Sequence, residues 1–525
     1  YSIYGDYSVA LKILEKSDAQ IDSNSIEYYK YTLEVNRVNF VLGFLLETKQ
    51  QLVKDLSYLF LIIESDDSFQ SITTQTLLLY IDVLFADGDF IEGQRIVDEN
   101  KNWVTATFGN KLGYRAEFLY RKGLFVSHQG DYSSANEFYK KAYRSGVHYY
   151  ALQAPFFIKL QQSRVSNLTK IGKFSESSYW QNDLDVKVKS YYGKNSVFFY
   201  NHKLTEIRAQ YQLGDYKSAL NGLKKYTEHN STYPEDHIGK IEIWKLMYEV
   251  YLKNSVIISA DTTLQKIVTL AKEKYGDQSP SYQFVYLESL KFQVNYTNKI
   301  HDAAKPFSHS LFEVIKLHVS NHHEEYNLYG FDLVRLYLLN EEFEKGITTI
   351  NNLVDDLSQE EPDEIFIEGL KLKAFTQIVI GDYKKADSTL NLAIEVVREN
   401  DILKEQLPKI FYVKALLQRE TGDFAGAENS YKIGKGSVFD VKLFESKNIN
   451  EQFAWLDIRN GKYQKTKRAL KISLNLKIKT VGDKHWSLLP TLGYLAEIAI
   501  IQGEFNQAEK YLQNSTEIAM AVFGK

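Results

Sequence analysis

The sequence predicts an all-α fold: a solenoid of about 13 antiparallel helical hairpins running without a break through residues 1–525. Three observations carry that prediction. First, a glycine, an acidic residue and an aromatic recur, most clearly as Gly5-Asp6-Tyr7, Gly88-Asp89-Phe90, Gly130-Asp131-Tyr132, Gly214-Asp215-Tyr216, Gly381-Asp382-Tyr383 and Gly422-Asp423-Phe424. Looser copies are Gly172-Lys173-Phe174, Glu341-Glu342-Phe343, Gly461-Lys462-Tyr463 and Gly503-Glu504-Phe505. Their aromatics are separated by 83, 42, 42, 42, 127, 40, 41, 39 and 42 residues, each close to one, two or three periods of about 42. Second, a small residue follows the glycine by five places and a larger one by nine, as a close-packed helix pair requires. Third, only 7 prolines and 28 glycines interrupt the chain, which suits nearly continuous helix with short loops.

In chain order, Gly5 is followed by Ala10 and Leu14, and Gly88 by Gly93 and Val97. Gly123 precedes the turn at Gly130, and Ala135 and Tyr139 follow it, so the pattern is clear over residues 81–145. Around 170–230 it is moderate, with Ala219 and Leu223 after Gly214. In 26–66 and 250–340 only the phase persists, and the phase predicts helical hairpins there with neither a long coil nor a β-rich insert. From 366 to 525 the pattern is clear again, preceded by Gly346 and Ile350 and carried by Ala374, Ala386, Leu390, Ala415, Ala427, Tyr431, Ala454, Ala496, Ala508 and Leu512. The sharpest copy is 481–525. Leu488, Leu492, Leu495, Ala496 and Ala499 share one helix face, as do Ala508, Tyr511, Leu512, Ser515 and Ala519 after the turn. Gly503 stands where a helix C-terminus calls for positive φ, and an acidic residue follows at the next helix start.

These positions resemble the tetratricopeptide repeat in its long form of about 42 residues, found in kinesin light chains and in bacterial arrays that include those joined to CHAT caspase-like proteases. A second cadence supports the resemblance: Phe108-Gly109-Asn110, Tyr192-Gly193-Lys194, Tyr275-Gly276-Asp277, Val481-Gly482-Asp483 and Phe523-Gly524-Lys525 fall where the long form carries an inter-repeat glycine. The resemblance implies a right-handed superhelix whose first helices line a concave face. Carried over, it places Asn201, Arg208, Tyr211, Arg335, Lys409, Tyr412, Arg419, Asn448, Trp455 and Arg459 on that face. Arginine and aromatics dominate interface hot spots, so such a face suits a peptide or partner domain. The paired lysines and asparagines of a two-carboxylate clamp are not found in adjacent repeats.

Bulk properties narrow the classes. A net charge of −4 argues against a general nucleic-acid binder. The most apolar run, Leu56 to Ile63, is too short to span a membrane. Zero cysteines remove disulfides and thiolate chemistry and leave bacterial cytoplasm or cell envelope open. No phosphate loop, His-Glu-x-x-His or nucleophile elbow occurs, so the expectation is no enzyme and no cofactor. Five histidines crowd together as His301, His309, His318, His322 and His323. His318 and His322, four apart, could clasp a metal with Glu325, though structural zinc usually needs four ligands and a solvated helix face is the plainer account.

Two charged segments stand out. Lys462, Lys465, Lys467, Arg468, Lys471, Lys477, Lys479 and Lys484 share their stretch with one acid, Asp483. They read either as a dock for an acidic partner or as a solvated second helix. Asp355, Asp356, Glu360, Glu361, Asp363 and Glu364 surround Pro362 as an acidic inter-repeat loop. The chain starts at Tyr1 and stops at Lys525 inside a loop, which suggests a fragment of something longer. Three roles follow: a non-catalytic interaction scaffold, the regulatory arm of a protein with an effector such as a CHAT protease, a kinase or a DNA-binding module, or an envelope or secretion-system scaffold.

Overall fold

The computed structural model describes residues 12–14, 21–22, 25–108, 113–194, 196–229, 238–254, 256–296, 316, 324–339, 341–359, 361–434 and 454–523. Among the described residues all regular structure is helical. In order the helices are α1 (Ile26–Leu42), α2 (Leu45–Ile62), α3 (Gln70–Asp87), α4 (Phe90–Phe108), α5 (Tyr114–His128), α6 (Tyr132–Gly146), α7 (Pro155–Lys170), α8 (Phe174–Tyr191), α9 (Val197–Gln212), α10 (Tyr216–His229), α11 (Gly239–Lys253) and α12 (Ile257–Tyr275). Then come α13 (Pro280–Tyr296), α14 (Glu324–Leu339), α15 (Phe343–Leu357), α16 (Glu364–Val379), α17 (Tyr383–Glu399), α18 (Leu407–Glu420), α19 (Phe424–Gly434), α20 (Ala454–Arg459), α21 (Tyr463–Val481), α22 (Leu489–Ile501) and α23 (Phe505–Phe523). Consecutive helices pair as hairpins, α1 with α2 and so on to α11 with α12, and again α14 with α15 to α22 with α23. The stretches 26–66 and 250–340, where only phase was legible, are helical wherever described. The turn at Gly5 lies outside the described residues.

The recurring triplet is a piece of backbone chemistry. Its glycine takes the left-handed conformation that ends the first helix, with φ of 81° at Gly88, 80° at Gly214 and 82° at Gly381. Glu341 holds the same place at φ 61°, the one non-glycine residue with positive φ among the described residues. The aspartate caps the second helix. Asp131 Oδ1 accepts from the Ser134 amide at 2.9 Å, Asp215 from Ser218 at 3.1 Å and Asp423 from Gly426 at 2.9 Å. Where lysine or glutamate replaces it, at Lys173, Glu342 and Lys462, no side-chain cap forms.

The small residues sit where helices meet. Ala135, Ala219, Ala386 and Ala427 are fully buried, as are Ala374, Ala415 and Ala454 on the first helices. At Gly93 a Cβ would lie 2.4 Å from the Phe125 ring, so glycine is the residue that lets these helices approach. Leu512 departs from the pattern. Its counterparts Val97, Tyr139, Leu223, Ile350 and Leu390 are buried, whereas Leu512 is 47 % exposed on the last described helix.

The described chain divides into two compact units, residues 1–286 with 314–323, and residues 287–313 with 324–525. In each, the core is a string of local clusters. One joins α5 to α7 through Tyr139, Ala142, Phe157 and Leu160, and another joins α20 to α23 through Ile458, Leu492, Leu495 and Ile518. The period shows again in the polar contacts between neighbouring hairpins. Ser71 meets Tyr114 43 residues on, and Ser127 meets Asn167 40 residues on. Asn254 reaches back 38 residues to the Tyr216 carbonyl.

The first unit also closes on itself. The Ser279 hydroxyl donates to Asp87 Oδ1 at 2.6 Å across 192 residues of chain, and Ser281 donates to the Ala86 carbonyl at 3.0 Å. Lys49 completes the knot with an ion pair to Asp87 at 2.6 Å. Close by, Gly43 lies against Ile238, a Cβ there falling 3.1 Å from the isoleucine Cβ, and the Lys274 ammonium stands over the Phe44 ring. The ends of α1 and α3 therefore abut the starts of α11 and α13.

Candidate partner-binding face

The residues placed on the concave face by resemblance fall into three groups. In the first unit, α9 carries Asn201, Arg208 and Tyr211. Asn201 is half-buried. The Arg208 guanidinium donates to Glu242 on α11 at 3.5 Å, and Lys245 approaches the same carboxylate at 3.2 Å. Lys245 first, then Arg208, hold Glu242 well below the usual carboxylate range. Tyr211 packs at a tilt against Tyr216, its ring 5.5 Å away, and against the α9–α11 core.

In the second unit the first helices carry a buried charge ladder. Lys291 of α13 pairs with Asp332 of α14 at 3.1 Å, and Asp332 with Arg335 at 2.9 Å. Arg335 reaches Glu368 of α16 at 3.1 Å, and Glu368 also holds Lys371 one turn on. Lys371 is 1 % exposed. Burial pushes its pKa down, while its neighbour's charge resists. Glu368 is held below its ordinary value despite burial, by Lys371 first and then by Arg335 and Lys409. Arg335 and Lys409, both anticipated, thus share Glu368 as their counter-charge. Arg335 is itself buried, so it acts within the ladder. A removed rung would leave an uncompensated charge in a poorly solvated place.

The third group is a stack. The Arg419 guanidinium lies 5.4 Å from the Trp455 ring centre, and Arg459 lies 3.6 Å from that of Phe424. Phe424 and Trp455 stand 6.4 Å apart, so two rings and two guanidinium groups from α18, α19 and α20 form one cluster. Rings hold the planar cation by its quadrupole and fix its orientation. Arg459 is exposed and Trp455 and Arg419 are half-buried, and the Arg419 Nε donates to Glu420 at 2.7 Å.

Tyr412 requires a correction. It is 3 % exposed, and burial raises its pKa, with Arg419, Tyr494 and Tyr431 near enough to act on it. It shares the α18 face of Lys409 and Arg419, being seven residues from the latter, yet it is covered and presents no surface. Asn448, His318 and His322 lie outside the described residues, as does the side chain of Glu325. Among the described residues no three His, Asp or Glu side chains are grouped to hold a metal ion, and no helix is long and apolar enough to cross a membrane.

Sequence reasoning missed Glu368, Lys371, Asp332, Lys291 and Phe424. A period shift from an anticipated residue would have found one of these. Glu368 lies one repeat before Lys409. Of the acidic loop, Asp363 has a structural duty, capping α16 by accepting from the Phe366 amide at 2.8 Å.

No protein-family model matches the chain, and no curated protein matches it. Solved structures do. A Rap protein complexed with Competence and Sporulation Factor is similar at 11 % identity and a TM-score of 0.51, over 70 % of this chain and 99 % of that one. The apo form of RapI is similar at 12 % identity and a TM-score of 0.43, over 70 % and 98 %. The Cut9–Hcn1 assembly of the APC/C is similar at 12 % identity and a TM-score of 0.38, over 98 % and 90 %. At such identities the likeness is one of fold, and the first comparison carries it: an all-α solenoid of tetratricopeptide-like hairpins.

Proposed function

We propose that this chain is a non-catalytic scaffold that captures a peptide or a partner domain on its first helices. The observation that carries the reading is the stack of Arg419, Trp455, Phe424 and Arg459. It offers cations held in place on rings before any ligand arrives, so little side-chain entropy is lost on binding. Arginine and tryptophan set in a partly desolvated cluster are the residues from which interface hot spots are made. The fold supports the same reading, since hairpin arrays build long surfaces out of local contacts alone. A Rap protein of similar fold is found in complex with the factor named above.

The test is affinity capture from native lysate with the chain as bait, followed by mass spectrometry, alongside the double variant Arg419→Ala/Arg459→Ala. One protein recovered in stoichiometric amount by the parent and lost by the variant is the expected result. Recovery unchanged by the variant removes the stack from the function, and no recovery of any partner removes the scaffold reading.

A further inference from the structure

Helix α21 has an outward face unlike that of any other second helix described. Between Tyr463 and Val481 it carries six cations and no acid. Two of the six serve the next hairpin. Lys467 binds Glu504 at 2.6 Å and Gln502 at 3.1 Å, and Lys477 donates to the Ser487 carbonyl at 2.8 Å. Lys465, Arg468, Lys471 and Lys479 are exposed and have no ion pair among the described residues. The nearby acids are engaged elsewhere, Asp457 with Lys462 and Glu517 with Lys484. On four other second helices a cation meets an acid one turn away: Arg95 with Glu92 and Glu99, Lys140 with Glu137, Lys187 with Asp183, Lys432 with Glu428. On α21 no such acid exists.

The free cations border an apolar ridge, Arg468, Lys471 and Lys479 along one side and Lys465 in line with it. Ile472 is 59 % and Leu476 58 % exposed, four residues apart and therefore stacked on the helix. At 3.6 residues per turn, Lys465, Arg468, Lys471, Ile472, Leu476 and Lys479 fall within an arc of about 140°. Opposite them the buried Thr466, Leu470 and Ser473 face the core. We infer that this face docks an acidic amphipathic helix of a partner protein. The two aliphatics insert into the partner's groove between side-chain ridges, and the four cations meet carboxylates along one side of it.

Charge complementarity and the narrow ridge together select this occupant. A membrane surface would need a broad apolar face, and the apolar face of α21 is already committed to the hairpin core. Single-stranded nucleic acid would need stacking rings, and the exposed apolar residues here are aliphatic. The surface lies on a second helix, and its test is independent of the Arg419–Trp455 stack.

The measurement is fluorescence anisotropy on the full chain with a labelled synthetic helical peptide, leucines along one face and glutamates along one flank of it. The expected result is saturable binding that weakens as salt rises, and about tenfold or more on Lys465→Glu/Arg468→Glu/Lys471→Glu/Lys479→Glu. Ile472→Ser/Leu476→Ser should abolish it. Arg419→Ala/Arg459→Ala should leave it unchanged. Far-UV circular dichroism and thermal melting identify any variant that fails to fold, and the serine pair then stands in for the charge-reversed chain. No saturable peptide binding, or binding indifferent to both variants, overturns the inference. So does preferential binding of phosphatidylserine vesicles or of single-stranded RNA that the charge reversal removes, since either assigns the face to another class of ligand.

Discussion

Glu341 shows what a single position contributes. Gly214, Gly381 and Gly422 take the left-handed turn in other hairpins, and here a side chain with a Cβ is held at φ 61°. The steric cost for such a residue is about 1–2 kcal/mol. Glu341→Gly should therefore stabilise the α14–α15 hairpin by about 1 kcal/mol, part of the gain being returned through the looser unfolded chain. Amide hydrogen exchange across α14 and α15 checks it, and slower exchange there with no change in α22 and α23 is the expected pattern. The same position shows how far a residue can be read from sequence. Glu341-Glu342-Phe343 was recognisable as a turn only by its phase, because phase is fixed by the packing of whole hairpins and survives loss of the glycine. Tyr412 failed for the converse reason. Its place on a first helix was legible, but whether a first-helix side chain faces solvent or a neighbour depends on how the array curves, and local spacing does not encode that.

Among the elements, the ladder across α13, α14, α16 and α18 separates burial from pairing. Glu368 answers Arg335 and Lys371 in a poorly solvated place, whereas the Arg95 pairs on α4 are bathed in water. Glu368→Gln should cost about 3–5 kcal/mol, the range for breaking a buried pair, against less than about 1 kcal/mol for Glu92→Gln. Denaturant titration of each variant supplies the comparison. The ladder also predicts acid sensitivity. Glu368 has a folded pKa below its ordinary value of 4.5, so its contribution is complete above that value and is lost as pH falls toward the folded pKa. The second unit should lose stability over that acid window, and the loss should shrink in Glu368→Gln, as read by hydrogen exchange at several pH values. Helix identity and order were legible because the small residues and capping aspartates repeat. The ladder was not, because its members share no motif and meet only when hairpins stack.

At the scale of the whole molecule, the period gives the succession of hairpins and nothing about where distant ones touch. The meeting of Asp87 with Ser279 spans 192 residues and has no local signature. A cysteine-free chain allows it to be probed with paired spin labels and no background. Labels at Gln50→Cys and Gln278→Cys, both exposed, should report one narrow distance in the parent. Adding Asp87→Ala removes the acceptor of both Lys49 and Ser279, and the distribution should broaden and lengthen. An unchanged distribution would mean that the remaining contacts, Ser281 with the Ala86 carbonyl and Gly43 with Ile238, hold the ends together without the carboxylate.

That closure bears on how such a chain can change over generations. An open row of hairpins tolerates the gain or loss of a copy anywhere, since each unit asks only for a neighbour on either side. Between Gly43 and Ser281 the row is bounded at both ends by a contact that fits one count of hairpins and no other. A duplication there would carry Ser279 past Asp87 and leave the buried carboxylate facing the wrong turn. Copy number should therefore be held constant inside the closed stretch and be free to vary outside it, so that an array built by repetition contains one segment in which repetition has stopped.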